Sequence, residues 1–400
     1  SLKPAEGVKL SKILGLQNNL ELALAAHPVR IEAPIPGKSL VGIEVPNTSK
    51  ATIGLGSLLS EPDYADSDKP LLVCLGRNVS GLSKFVNLAK MPHALVAGAT
   101  GSGKSVTIHA IINSLLFRNP PENLKFIMID PKRVELTMYN KIPHLLTPVI
   151  TDPKKSILAL KWAAKEMERR YNILEENSVR DIDSYHKNIV LPSIKKTGKD
   201  EEGPDPMPYI VIIIDELADL MQSHPRELES AIVRLAQMSR AVGIHLLIST
   251  QRPSVNIITG LIKANVPARI ALQVSSQIDS RTILDAAGAE KLLGAGDMLF
   301  IGGEMSKPER IQSAYISENE VKGVVKYLKD AYVEELNPQI DFSNTTQIDN
   351  SIFSSSIGDD AGGGDDDELY EQAREIVMSA GKASTSYLQR KLKVGYARAA

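Results

Sequence analysis

Residues 93–116, HALVAGATGSGKSVTIHAIINSLL, carry an apolar strand through a glycine-rich turn into an amphipathic helix. Gly98 is followed after four residues by Gly103, Lys104 and Ser105, the spacing of a phosphate loop, which works between a strand and a helix. That segment ties the chain to an α/β core that grips a nucleotide. Gly98, Ala99, Thr100, Gly101, Ser102, Gly103, Lys104, Ser105 and Val106 are the candidate binding residues. Backbone N–H groups freed by the glycines would wrap the β-phosphate, and the helix N-terminus adds partial positive charge. Lys104 would neutralise the β and γ oxygens of ATP, and the Ser105 hydroxyl would ligate Mg²⁺.

From about Leu71 onward the pattern agrees. Apolar runs (HALVAG, LKFIMID, YIVIIID, GIHLLIST, ARIALQV, DMLFIG) alternate with helical stretches such as KKSILALKWAAKEMERRYNILEE and RELESAIVRLAQMSRAV. Continuous apolar strands between helices predict a parallel sheet covered on both faces. Residues 1–75 read as a small α+β domain, with helical periodicity in GVKLSKILGLQNNLELALAA and two short strands around PIPGKS, and residues 76–345 as the core domain. The polar run PSIKKTGKDEEGPDPMP before Tyr209 predicts a surface loop. Residues 346–368, rich in Ser, Gly and Asp, predict a flexible acidic linker, and residues 369–400 start a further helical unit.

A second chemical signal is YIVIIIDELADLM. Its buried run ends in Asp215 and Glu216, which places both carboxylates at the C-terminal edge of a strand beside the phosphate loop. Asp215 would share the Mg²⁺ shell with Ser105, and Glu216 would polarise the water that attacks the γ-phosphate. GIHLLIST ends in Thr250 and Gln251, where a polar side chain reaches γ-phosphate and water if this strand lies between those bearing Lys104 and Asp215. That order, with Glu after the Asp, is the RecA-like plan. A guanine reader lacks support, since NKIPH at 140–144 has no Asp in the NKxD position.

Composition narrows the class. Four hundred residues at 43% hydrophobic content can bury cores for roughly two to three domains. A net charge of −2 provides no bulk attraction to DNA or membrane, so any nucleic-acid surface has to be local. Cys74 is the one cysteine, which excludes a disulfide within the chain and fits a reducing compartment. The seven histidines show no zinc spacing, and no apolar run reaches the ~18 residues of a membrane span, so a soluble chain is expected.

Taken together, AGATGSGKSV, MIDPKRVEL, IIIDELADLM, STQRPSVNIITGLIKANVPARIALQVSSQIDSRTILD and KLLGAGDMLF resemble the motor region of the bacterial FtsK/SpoIIIE DNA translocases. The resemblance covers nearly all of residues 1–345 and resumes at about Leu369. It implies a homohexameric ring that uses ATP and Mg²⁺ to move double-stranded DNA in chromosome segregation. It also implies an α-domain, a RecA-like P-loop ATPase β-domain and a winged-helix γ-domain, the last only partial here. Full-length members carry a preceding membrane segment that tethers them to the cytoplasmic face of the inner membrane, and recombination or division proteins would meet the γ-domain.

Rings of this type fire at subunit interfaces, so an arginine offered to the neighbour's γ-phosphate is expected. Arg240, in AQMSRAVGIHL, occupies the matching position, and Arg234 is the rival. Asp130, in IDPK, either faces the nucleotide or forms a simple Asp-Pro turn. Arg252, Lys263 and Arg281 follow GIHLLIST on the side where such motors place pore loops, where they would engage DNA phosphates without reading sequence. Gln277 stands where the family pattern more often has Lys. Lys382, Arg390, Lys391, Lys393 and Arg398 form a basic tail suited to DNA. Two further readings stay open: a hexameric pump moving protein or a conjugating DNA strand, and a DNA-binding nucleotide switch with little turnover.

Overall fold

A short apolar run with no polar face has to be a strand covered on both sides, and the computed structural model shows four of them side by side. It describes residues 1–332 and 340, apart from 27, 36, 50, 194–203 and 205. The predicted acidic linker, the partial γ-domain and most of the loop before Tyr209 lie outside the described residues. The chain opens with helices Leu10–Gly15 and Gln17–Leu24 and an antiparallel pair, β1 (Arg30–Glu32) and β2 (Gly42–Glu44). There follow β3 (Leu72–Asn78), β4 (Ser83–Asn87), β5 (His93–Ala97), β6 (Leu124–Ile129), β7 (Tyr209–Ile214), β8 (Ile244–Thr250), β9 (Ala268–Leu272), β10 (Asp297–Ile301) and β11 (Glu309–Ser313). Among the described residues these nine form one sheet in the order β4-β3-β11-β10-β9-β5-β8-β7-β6.

The β9-β5-β8-β7-β6 portion is parallel, and every residue of β5, β6, β7 and β8 is buried, as coverage on both faces requires. The expectation of a parallel sheet fails beyond β9. β10 runs antiparallel to β9, and β11, β3 and β4 continue antiparallel. The short link from β10 to β11 is too brief for the crossover that parallel neighbours need. The apolar run of β10, buried at four of its five positions, concealed this.

Helix Lys104–Arg118 packs against β3, and the long helix Pro153–Glu176 packs on helix Pro225–Met238. Asp152 starts the long helix by accepting from the Lys155 amide at 3.0 Å, with Pro153 at its first position. Arg310 on β11 joins three segments. It pairs with Asp297 of β10 at 2.6 Å and with Glu44 of β2 at 2.6 Å, tying the small N-terminal pair to the main sheet.

Four histidines, His93, His109, His144 and His245, are buried among the described residues, and three of them are pushed well below the ordinary value. Burial, helped by His245 and by the charge of Arg240, pushes His93 down to about 3, and burial takes His144 and His245 to about 4. Below the ordinary histidine value the unfolded chain binds protons that the folded chain refuses, so stability falls with pH there. Tm is expected to be flat above about pH 6.5 and to fall toward pH 4, with each histidine costing up to about 1.4 kcal/mol per pH unit. A thermal melt series across that window checks it; a constant Tm from pH 7 to 4.5 would contradict the burial of these rings.

Candidate active site

The phosphate loop owes its shape to glycine. Gly101 and Gly103 have φ of +80° and +100°, left-handed values that turn successive N–H groups to one side. A Cβ on Gly98 would lie 2.7 Å from Leu272 Cβ, and one on Gly103 would lie 2.4 Å from the Gly296 backbone nitrogen. Gly296 in turn donates to the Ser102 carbonyl at 2.8 Å, so the turn before β10 backs the loop. The Ser102 hydroxyl is buried and meets no hydrogen-bond partner among the described residues. A glycine-shaped cradle with a buried unpartnered hydroxyl at the start of a fifteen-residue helix suits a phosphate group.

The strand order β5-β8-β7 puts Thr250 and Gln251 between Lys104 and Asp215, the condition for a polar residue there to reach both sides. Lys104 is buried, and its Nζ donates to Asp215 Oδ1 at 2.8 Å, to the Asp215 carbonyl at 2.9 Å and to Ser249 Oγ at 3.1 Å. Burial pushes the Asp215 carboxyl up against the opposing pull of Lys104. Glu216 is fully buried. Thr250 Oγ1 donates to its Oε1 at 2.6 Å, the Gln251 amide donates to its Oε2 at 3.1 Å, and Lys132 Nζ lies 3.3 Å from the same Oε2. The Gln251 side chain accepts from Thr100 Oγ1 at 3.1 Å and so lies over the phosphate loop. The Arg252 amide donates to Thr250 Oγ1 at 3.1 Å, which connects the next residue to the Glu216 carboxylate through one hydroxyl.

Asp130 resolves in favour of the turn. Its carboxylate accepts from the amides of Arg133, Glu135 and Leu136 at 2.9–3.0 Å and is fully buried. The loop it caps delivers Lys132 to Glu216 and Glu135 to Ser105, whose hydroxyl donates to Glu135 Oε1 at 2.7 Å. Neither Lys132 nor Glu135 was singled out from the sequence, although both lie within the quoted MIDPKRVEL.

Lys104→Ala strips the cation from a buried carboxylate, which typically costs about 3–5 kcal/mol. The expected result is a lowered Tm together with lost turnover. Adding Asp215→Asn removes the stranded charge, so the double variant should regain stability in a chemical melt without regaining hydrolysis.

Arg240 is exposed and sits in the turn before β8, at the edge of the sheet opposite the phosphate loop. β8 spans seven residues, so a strand length of roughly 20 Å separates the two. Its turn is fixed: buried Arg170 donates to the Val242 carbonyl at 2.9 Å, and Gly243, at φ +73°, has no room for a Cβ beside Ile182. The rival Arg234 is ion-paired with Glu168 of the same chain. Arg252 and Arg281 are exposed, whereas Lys263 is held by Asp285 at 2.7 Å, a carboxylate it shares with Arg269.

The FtsK/SpoIIIE family pattern matches residues 55–255, and the chain is 52% identical over 409 residues to the DNA translocase FtsK of Clostridium tetani, covering 100% of this chain and 51% of that protein. The chain belongs to the FtsK/SpoIIIE family. The FtsK alpha domain matches residues 1–47 and the Ftsk gamma domain residues 364–400. The DNA translocase SpoIIIE of Bacillus subtilis is 50% identical over 402 residues, covering 99% of this chain and 48% of that one. The chain therefore spans about half the length of the curated relatives it matches. Among solved structures, the pCW3 conjugation coupling protein TcpA, in its monomer form with ATPγS, is 26% identical with a TM-score of 0.58, covering 80% of this chain and 87% of that chain. The cytoplasmic domain of the type VII secretion ATPase EccC of Thermomonospora curvata shares the fold, with a TM-score of 0.57 at 24% identity over 70% of this chain and 34% of that chain.

Proposed function

We propose that this chain is the motor part of a DNA translocase, hydrolysing ATP with Mg²⁺ as a homohexameric ring that moves double-stranded DNA in chromosome segregation. What carries the reading is a carboxylate, Glu216, held by Thr250 and Gln251 beside a phosphate loop, in a chain half-identical along its length to proteins named DNA translocases. The glycine cradle binds the phosphates, and Lys104 and Thr100 face them. Bound Mg²⁺ would neutralise the β and γ oxygens, held by the Ser105 hydroxyl and the Asp215 carboxylate. Glu216 orients and deprotonates the attacking water, and Gln251 links water to γ-phosphate. Arg240 cannot reach its own chain's phosphate loop from the opposite edge and acts on the next subunit.

In this reading residues 1–75 are the α-domain, 76–345 the motor, 346–368 a linker and 369–400 the start of a γ-domain that recombination or division proteins would meet; β3 already begins at Leu72. Among the described residues no helix is long and apolar enough to cross a membrane; a tether to the cytoplasmic face of the inner membrane is part of this reading for the full-length protein. The deciding measurement is ATP hydrolysis with duplex DNA, single strands and polypeptide as stimulants. Stimulation by single strands or polypeptide, and not by duplex, would replace the reading with a conjugative or secretion pump.

The DNA path is assigned to Arg252, Lys263 and Arg281. Arg252→Ala and Arg281→Ala should each flatten the log–log salt dependence of duplex binding by about 0.9 per lost phosphate contact, equally for unrelated sequences. Lys263→Ala should do less, because Asp285 already holds that ammonium. An unchanged slope in the triple variant would place the DNA path elsewhere.

A further inference from the structure

The motif MIDPKRVEL lies outside the hydrolytic machinery above, yet its loop is built with care. Three amides converge on the buried Asp130 carboxylate, and that turn carries Glu135 to the first turn of the phosphate-loop helix. The expected Mg²⁺ partner of a phosphate-loop serine is the carboxylate at the end of the neighbouring strand. Here that carboxylate, Asp215, is bonded to Lys104, and the Ser105 hydroxyl is bonded instead to Glu135 at 2.7 Å.

We propose that Glu135 is a further residue of the metal site, a positioning residue that accepts a hydrogen bond from the Ser105 hydroxyl and so turns the oxygen's lone pairs toward a divalent cation held with the nucleotide. The inference rests on the nucleotide-binding part of the functional reading. A hydroxyl has one proton and two lone pairs and rotates freely unless something holds the proton. A carboxylate acceptor fixes the rotor and raises the electron density on oxygen, as outer residues do for metal-bound ligands elsewhere. Glu135 is itself held. His109 Nε2 lies 3.7 Å from its other oxygen, and the opposite ring nitrogen of His109 meets the Tyr139 hydroxyl at 2.9 Å, to which Asn113 also donates at 3.0 Å. Its contact with His109, then the bond from Ser105 and the charge of Lys104, keep the Glu135 carboxyl below the ordinary range although burial opposes them. Among the described residues no group of three His, Cys, Asp or Glu could hold a metal ion by itself. A cation at this site depends on nucleotide oxygens and on how well the Ser105 oxygen is aimed, which is what Glu135 controls.

The test is a Mg²⁺ titration of fluorescent ATP-analogue binding to the full chain, repeated with Mn²⁺ read by electron paramagnetic resonance. Glu135→Ala should raise the cation concentration for half-saturation by about 10–100-fold, the usual cost of losing an outer residue, and leave analogue binding in EDTA unchanged. Glu135→Gln should shift it less, because its amide oxygen still accepts from Ser105 without the charge; this near-isosteric variant also serves if Glu135→Ala fails to fold. In a Ser105→Ala background, Glu135→Ala should add nothing, the signature of a residue acting through another. An unchanged cation requirement in Glu135→Ala, or an equal shift with and without the Ser105 hydroxyl, overturns the proposal. A wild-type chain that binds no analogue overturns it together with the nucleotide-site reading. The titration uses neither DNA nor turnover, so it is read independently of whether duplex DNA stimulates hydrolysis.

Discussion

Glu216→Gln is expected to bind ATP normally and to lose hydrolysis by about 10²–10⁴-fold, the usual contribution of a general base. The substitution keeps the shape of the side chain and leaves an oxygen for the Thr250 hydroxyl and the Gln251 amide, so the local geometry survives. What disappears is the negative charge that draws a proton from water and pairs with Lys132 at 3.3 Å. Binding is measured with a labelled nucleotide and turnover by phosphate release on the same preparation. Turnover within a few-fold of wild type would remove Glu216 from the base role and leave it a packing residue of the β7–β8 edge.

The second large effect belongs to Arg240. Removing an arginine finger costs roughly 10³–10⁵ in rate in other phosphoryl-transfer enzymes, and Arg240→Ala should fall in that range. Because Arg240 lies at the opposite edge from Lys104, the defect should be complementable. Arg240→Ala chains have an intact phosphate loop, Lys104→Ala chains an intact finger, and mixed assemblies contain interfaces where the two intact halves meet. Mixing should restore part of the hydrolysis that neither variant shows alone. No recovery at any ratio, in assemblies shown to exchange subunits, would count against action in trans. Arg170→Ala offers a graded comparison, since it loosens the Val242 turn behind Arg240 without touching the guanidinium.

Much of this site was legible in the sequence because its chemistry is concentrated in short contiguous stretches. The phosphate loop needs glycines at fixed spacing for steric reasons, and a carboxylate closing a buried strand can point to only one edge of a parallel sheet. The strand order that puts Thr250 between Lys104 and Asp215 was stated as a condition, and the sheet meets it. The antiparallel half was not legible, because β10 is as apolar as its parallel neighbours and only the brief link to β11 betrays its direction. Lys132 and Glu135 were missed for a different reason. A lysine and a glutamate in a polar loop look like ordinary solvated charges, and only the folding of that loop around Asp130 brings them to Glu216 and Ser105. Lys263 is the converse case: the sequence shows a lysine suited to phosphates, and only the fold reveals that it lies in helix Gly260–Asn265 with its ammonium on Asp285.

The contact between Gly103 and Gly296 also dictates an order of events during synthesis. The phosphate loop is translated early, but the backbone that closes against it arrives only with the turn before β10, near the end of the sheet. Contacts this distant in sequence form late, since the loop-closure entropy between them has to be overcome first. A nascent chain halted before Gly296 would carry the complete GATGSGKS sequence without the wall that shapes it. Nucleotide affinity should therefore appear abruptly as the last strands emerge from the ribosome, so that the chain acquires its grip on ATP only when the whole sheet is in place.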